Sequence, residues 1–376
     1  MNRRRFPTGT RGQACLVCLI ALLAACAPAA RVPAQEGAVR LPPGFRMETF
    51  ASGLGAPRFM AVSPSGDLFV SVPSRDQIVA LPDRDGGGRA DRAVVYADGL
   101  NRPHGLAFFR GFLYVAETDA VVRLPYRPGD LTAAKPEVVI RDLPSGGGHW
   151  TRTIAFGPDG KMYVSVGSSC NVCEERDPRR AAILQFNPDG TGGRIFARGI
   201  RNAVGISFRP QTGELWATDN GRDWLGDDFP PDTILVVKEG AHYGWPHCNG
   251  NRVPDPEFGR PDFCKTTAPP AVEIQAHSAT LGLTFYTGGM FPAEYRGDLF
   301  VALHGSWNRS VPTGYKVIRI PMQGGTPARP QDFATGWLQG NYAWGRPVDV
   351  ITGKDGALYV SDDRAGMIYR ISHSTR

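Results

Sequence analysis

The 376-residue sequence lacks several features that would direct its reading elsewhere. Beyond residue 25 it has no run of 18 consecutive apolar residues, so no later segment is suited to crossing a bilayer as a helix. It has no strong excess of one charge: 42 Lys and Arg stand against 36 Asp and Glu. Arg3, Arg4, Arg5 and Arg11 precede Cys26, where there are no acids, and setting those four aside takes the net charge from +6 to +2. No basic stripe interleaved with aromatics is present, which argues against nucleic acid as a partner. There is no Gly-x-Ser-x-Gly, no phosphate loop and no dinucleotide fingerprint; Gly146–Gly148 lacks the helix start that such a fingerprint requires. Cys170-Asn-Val-Cys173 has no His after it, which excludes a c-type haem attachment.

What is present points to a folded β protein. Hydrophobic residues make up 42% and aromatics 10%, enough for a core and too much for disorder. The 46 Gly and 32 Pro suit many short strands joined by tight turns.

The N-terminus reads as a targeting segment. Arg3–Arg5 form a positive region, and Ala14–Ala25 an apolar stretch too short to span a bilayer comfortably. It ends in Leu23-Ala-Ala-Cys26, which resembles the bacterial lipobox, where the Cys is lipidated and becomes the first residue of the mature chain. Ala27 follows, with no Asp to retain the protein at the inner membrane. The expectation is a lipid anchor on Cys26 at the periplasmic side of a bacterial membrane, the outer one favoured, with the lipid as the only membrane contact. Residues 1–25 are the signal peptide, 26–40 an Ala/Pro-rich tether, and 41–376 the folded part.

One phrase recurs through that part: an alternating apolar strand, a Gly turn, then a strand such as Leu-Tyr-Val followed by a small or acidic residue. Its six copies begin at Met60, Gly105, Thr153, Gly205, Gly282 and Pro347. Each is followed by a third short strand (Gln77–Leu81 after the first copy) and a fourth leading to the next (Arg92–Ala97). Period-2 alternation between turn signals means antiparallel strands, and four per repeat without linkers predicts one closed, all-β, six-bladed propeller. The segment Phe45–Phe50 precedes the first copy and is placed to close the ring against the last blade. The longer inserts, about 222–232 and 245–275, read as loops over the blades, possible lids of a site.

The repeat supplies a register. The position just before each first strand, expected near one mouth of the channel, holds Phe59 (after Arg58), His104, Arg152, Val204, Leu281 and Arg346. Three residues earlier come Asn101, His149, Arg201 and Ser278, with Asn202 and His277 adjacent. Several arginines converging on one cavity repel unless an anion neutralises them, and the planar guanidinium suits carboxylates. The implied ligand is small and carries several negative charges. His149 follows Gly146-Gly147-Gly148, which lets backbone approach a ligand closely, and a neutral His there could act as a general base. The oxygen-rich stretch Thr218–Asp223, with Asp227-Asp228 after it, could bind Ca²⁺ without matching the EF-hand spacing.

Four cysteines remain after processing: Cys170, Cys173, Cys248 and Cys264. An even count in an oxidising compartment suggests two disulfides, with three connectivities open and local pairing preferred. A zinc site recruiting His247 is the weaker reading.

Together these residues resemble the soluble aldose/glucose dehydrogenases that use pyrroloquinoline quinone (PQQ), and more closely their sorbosone dehydrogenase-like branch. The resemblance covers about Leu41 to Ile371. It is carried by His149-Trp-Thr-Arg-Thr-Ile-Ala-Phe-Gly-Pro-Asp159, Gly199-Ile-Arg201-Asn202, Asp219-Asn-Gly221-Arg222-Asp223, Tyr243-Gly-Trp245-Pro246 and Arg346-Pro-Val-Asp-Val. It implies oxidation of an aldose-type sugar or sugar aldehyde, with His149 removing the hydroxyl proton as hydride passes to the quinone. Arg201, Asn202 and Arg346, with His277 and Arg152, would hold the cofactor, and backbone carbonyls of Gly221 and Arg222 would hold Ca²⁺. His104, Arg58 and Trp245 are the candidates for contacting substrate. Electrons would leave to an external quinone or cytochrome.

The chain also departs from this pattern. Gly167-Ser168 stands where the family's glucose enzymes have an Asp that assists the His. No Lys occurs in His304–Arg309, where those enzymes bind cofactor with one, and a cofactor Thr falls at about His277. A Ca²⁺-dependent lactonase on a six-bladed propeller and a non-catalytic binding propeller are the alternatives. The first would need acidic ligands spread over several blades.

Overall fold

The computed structural model describes residues 39–374. The signal segment, Cys26 and most of the tether lie outside the described residues. Arg40 pairs with Thr335 through two backbone hydrogen bonds (2.6 and 3.0 Å), so the propeller includes a residue ahead of the expected boundary at Leu41.

Six four-stranded antiparallel sheets follow one another around a ring. Their innermost strands are Met60–Val62, Leu106–Phe109, Ile154–Phe156, Ile206–Phe208, Thr280–Phe285 and Pro347–Thr352, each at a copy of the repeat. We number the blades 1 to 6 in that order. The ring closes as expected: Phe45–Ala51 is the outermost strand of blade 6 and pairs antiparallel with Met367–His373. The first and last described strands thus share one sheet, which locks the ring shut.

Four of the six second strands, Leu68–Val72, Met162–Val166, Leu299–Leu303 and Leu358–Asp362, are buried at every residue, and the other two at all but one. Each is covered on both faces by neighbouring blades, which is why they read as continuous apolar runs rather than strict alternation. The core is accordingly divided into wedges, one between each pair of blades. Phe69, Ile78 and Tyr96 of blade 1 pack against Leu106, Leu113 and Val115 of blade 2, and equivalent clusters fill the other five interfaces.

Toward the axis the blades converge, and two devices manage the crowding. Glycine stands just before or within the inner strand where blades meet: a Cβ on Gly205 would lie 2.2 Å from the Leu281 carbonyl, and one on Gly282 2.1 Å from Asp349 Oδ1. Hydroxyls on the second strands latch one blade to the next. Ser71 accepts from the Phe59 amide and donates to the His104 carbonyl (2.8 Å). Thr218 accepts from Gly205 and donates to Leu281 (2.9 Å), and Ser361 accepts from Asp349 and donates to Arg58 (2.6 Å). Thr218→Val keeps the volume but strands the Gly205 amide and the Leu281 carbonyl. It is expected to cost about 1–3 kcal/mol in chemical denaturation; an unchanged midpoint would show that the latch contributes nothing.

The position expected to be a polar slot is mostly apolar. Phe59, Val204, Leu281 and Val348 pack together as a plug on the axis, and the His104 ring lies 4.2 Å from that of Phe59. Arg346 lies two residues outward of Val348, the true member of that set, because irregular pairing between Pro347 and Val350 shifts the register in blade 6.

Candidate active site

The His149 loop is braced from below by two arginines. Arg152 donates to the carbonyls of His149 (3.0 Å), Thr151 (2.7 Å) and Pro144, and Arg180 to those of Ser145 and Gly146 (3.1 Å). Gly147 is in the left-handed region, and a Cβ there would lie 2.3 Å from the Ser169 carbonyl, so the glycine run is what allows this close approach.

His149 Nδ1 lies 3.0 Å from the Ser168 carbonyl and 2.8 Å from Ser168 Oγ. The Ser168 hydroxyl proton is committed to the Cys170 carbonyl at 2.7 Å. Both Ser168 oxygens therefore accept, and Nδ1 must carry the ring proton. Nε2 is left with its lone pair and no partner among the described residues. Ser168 thus fixes the His149 ring without adding negative charge beside it. Gly167 is small for a reason: a Cβ there would lie 2.6 Å from His149 Cβ and 2.7 Å from Asn202 Oδ1.

Burial pushes His149 down to about 3, helped by the positive charges of Arg201, Arg152 and Arg180 and opposed by the Ser168 carbonyl. The ring is neutral at pH 7. In the unfolded chain it would protonate near 6.5, so its effect on stability is a loss as pH falls from 6.5 toward 3. The His149 ring signals in NMR are expected to titrate with a midpoint near 3, far below free His; a midpoint at 6 or above would contradict the buried, arginine-flanked setting of the ring.

Asn202 sits beside His149 across Gly167, and the charge of Arg201, which precedes it, acts on the ring. Both backbone amides donate to half-buried Asp219, at 3.3 and 2.7 Å; desolvation of its carboxyl pushes it up to about 7 against the pull of these amides and of the Arg201 charge. The Arg201 guanidinium donates to the Asn171 carbonyl (2.9 Å), Asn171 Oδ1 (2.8 Å), the Asn220 carbonyl (3.2 Å) and Asp223 (3.1 Å). Asn171 is a hub that the sequence reading missed. It also exchanges two hydrogen bonds with the backbone of Asp223. The one signal for it was its place inside the Cys170–Cys173 ring. That disulfide is formed, as is Cys248–Cys264, so the preferred local pairing holds and neither pair offers thiolates to zinc.

Around the rim, Arg346 donates to the carbonyls of His304 (3.1 Å) and Gly305 (2.9 Å). Arg58 bonds Asp363 at 2.7 Å, and His304 Nε2 donates to the same carboxylate at 2.9 Å. Burial would raise Asp363, but His304 and Arg58 outweigh it and hold the carboxyl well below the usual range. Burial lowers His304 to about 4, so it too is neutral at pH 7, with Nδ1 as its acceptor. The pairing of Arg58 with Asp363 had no sequence signature, because the partners lie 305 residues apart and meet only at the ring closure.

Gly221 and Arg222 lie where expected for a cation loop. Buried Asp232 receives the amides of Gly221 (2.9 Å) and Ala279 (2.7 Å) and fixes the loop. The Arg222 side chain is turned away into a buried pair with Asp255 (2.9 Å), and neither the Gly221 nor the Arg222 carbonyl accepts a hydrogen bond among the described residues. Two carbonyls are too few for the six to eight oxygens Ca²⁺ takes, so water and a bound ligand would have to supply the others.

Four expectations are corrected. Arg152 is fully buried with both terminal nitrogens on loop carbonyls, so it positions His149 rather than holding a cofactor. His104 is fully buried beside the plug, its Nε2 without a partner, and is closed to substrate. Trp245 is only 6% exposed and its indole faces the Asn171 carbonyl (3.4 Å), so it forms a wall rather than a sugar contact. His277, in the left-handed region, is buried with Nε2 on the Gly226 carbonyl (2.9 Å), and it anchors the 222–228 loop.

Comparisons with known proteins agree with this architecture. Residues 39–374 match the family model described as TrAA12-like. An uncharacterised protein of Borreliella burgdorferi is 31% identical over 89% of this chain and 90% of its own length. The PQQ-dependent pyranose dehydrogenase of Coprinopsis cinerea is 25% identical over 87% of this chain; the match spans 54% of that protein, so this chain corresponds to about half of it. A calcium structure of the Trichoderma reesei carbohydrate-active enzyme of family AA12 superimposes with a TM-score of 0.79 at 20% identity, covering 90% of this chain and 97% of that one. This chain belongs to the TrAA12-like family of six-bladed propellers, and its relatives include PQQ-dependent sugar dehydrogenases.

Proposed function

We propose that this protein is a PQQ-dependent dehydrogenase that oxidises an aldose-type sugar or sugar aldehyde, in the manner of the sorbosone dehydrogenase-like branch. The observation that carries the reading is a neutral His149 whose Nδ1 is pinned by Ser168, leaving Nε2 open beside Arg201. The site suits an anion. Positive charge dominates around His149, and a cofactor with three carboxylates would relieve it. Arg201, Asn202 and Arg346 would hold that cofactor, and the Gly221 and Arg222 carbonyls a Ca²⁺ ion. When bound, the quinone supplies the two-electron acceptor.

The chain's own part is the proton. His149 Nε2 accepts it from the substrate hydroxyl, and Ser168 keeps the ring in the tautomer and orientation that make this possible. Anionic charge placed against Arg201 would raise the basicity of His149 from its depressed value, so the base strengthens as the site fills. Electrons then pass to an external acceptor. The Leu23–Cys26 segment supports export and lipid anchoring at the periplasmic face of a membrane.

The test is to purify the protein without residues 1–26, add PQQ with Ca²⁺, and follow dye reduction against a panel of aldoses and sugar aldehydes. Cofactor-dependent turnover is expected. Absence of PQQ binding by calorimetry would refute the reading and favour a lactonase or a binding propeller.

A further inference from the structure

Trp224 and Trp307 are 69% and 65% exposed, in a protein that buries Trp216, Trp245 and Trp337. Their ring centroids are 5.1 Å apart and their planes cross at 85°. They come from different blades, so the fold, not the sequence, brings them together.

Both rings are attached directly to site residues. Trp224 follows Asp223, whose carboxylate binds Arg201 at 3.1 Å and Asn308 at 2.8 Å; Trp307 precedes Asn308. The loops are further tied where the Ser310 amide meets Asp227 (3.1 Å) and Arg309 meets Asp228 (3.1 Å). Trp224 has φ +73°, a conformation unfavourable for a bulky residue that persists only when its surroundings enforce it. The exposed indole is therefore a held arrangement rather than a ring that failed to find cover.

We propose that Trp224 and Trp307 form a saccharide-binding platform at the mouth of the site, which holds a sugar ring beyond the one being oxidised and so favours oligosaccharides over monosaccharides. This rests on the sugar dehydrogenase reading. The chemistry follows from the ring quadrupole: an indole face is electron-rich and attracts the weakly positive C–H face of a pyranose. Two perpendicular indoles make a corner in which one ring stacks on the sugar while the other limits its lateral position. Buried Trp245 cannot serve in this way.

The experiment uses maltotriose and cellotriose as probes, glucose as the monosaccharide, and the Trp224→Ala, Trp307→Ala and Trp224→Phe variants. In cofactor-free protein, trisaccharide is expected to quench tryptophan fluorescence saturably, and the quench to disappear in the Ala variants while Trp224→Phe keeps part of the affinity. In the loaded enzyme, the ratio of kcat/KM for trisaccharide to that for glucose is expected to fall roughly tenfold in the Ala variants, through KM. A saturable quench without turnover of any sugar would overturn the dehydrogenase reading and leave the platform standing. Turnover with an unchanged ratio and an unchanged quench would overturn the platform. A raised KM for the electron acceptor with the sugar ratio unchanged would also overturn it, and would reassign the pair to docking of an electron carrier.

Discussion

His149→Ala is expected to fold and to bind PQQ, yet to turn over sugar on the order of 10²–10⁴-fold more slowly, the range for removal of a positioned general base. The loss should fall on kcat, because the arginines that support cofactor binding lie on other loops. Two companion variants separate base from scaffold. Ser168→Ala removes the hydroxyl at 2.8 Å from Nδ1 but leaves the carbonyl at 3.0 Å, so the tautomer survives and the loss should be much smaller. Arg152→Met removes the brace beneath the loop without touching the ring; its effect should appear as a weakened and more variable site, with lower thermal stability. Should His149→Ala retain near wild-type kcat across pH 5–9, the proton must leave by another group. His304, also neutral at pH 7 and with Nδ1 open, would be the next candidate.

Asp255→Ala is expected to have the largest effect on stability. Asp255 is completely buried and accepts from Arg222, Asn249 (2.9 Å) and the amides of Glu257 (2.9 Å) and Phe258 (3.0 Å). Burial pushes its carboxyl up, but the bonds from Asn249, Phe258, Glu257 and Arg222 outweigh that and hold it below the usual range. Removing it leaves the Arg222 guanidinium buried, with only an exposed Glu257 at 3.4 Å to compensate. Breaking such a pair costs about 3–5 kcal/mol. Replacing both partners, as in Arg222→Met with Asp255→Leu, should recover much of this, since no charge is then left unpaired. Because Arg222 carries one of the two candidate carbonyls for Ca²⁺, the single variant should also lose stabilisation by added Ca²⁺. Denaturant midpoints with and without the ion would show both effects; a fall below 1 kcal/mol would mean that the loop relaxes to expose the guanidinium.

Much of this protein is legible along the chain. Alternation, turn glycines and a repeat of six are local properties, and they sufficed for the blade count, the strand positions and the closing strand at Phe45. The local disulfides were readable because each joins residues near in sequence. His149 was legible because three glycines before a histidine mark close backbone approach, whatever lies opposite. Tertiary structure decided how deeply each of the marked residues is buried. Arg152, His104, Trp245 and His277 are each buried, through contacts with neighbouring strands and loops that spacing along the chain does not report. The inner slot became an apolar plug for the same reason: six blades converging on one axis leave no room for solvated charge. Asn171 as a hub, Asp363 between Arg58 and His304, and the exposed Trp224–Trp307 corner all join residues distant in the chain; the packing of neighbouring blades, and for Arg58 and Asp363 the closure of the ring, sets the distances on which their chemistry depends.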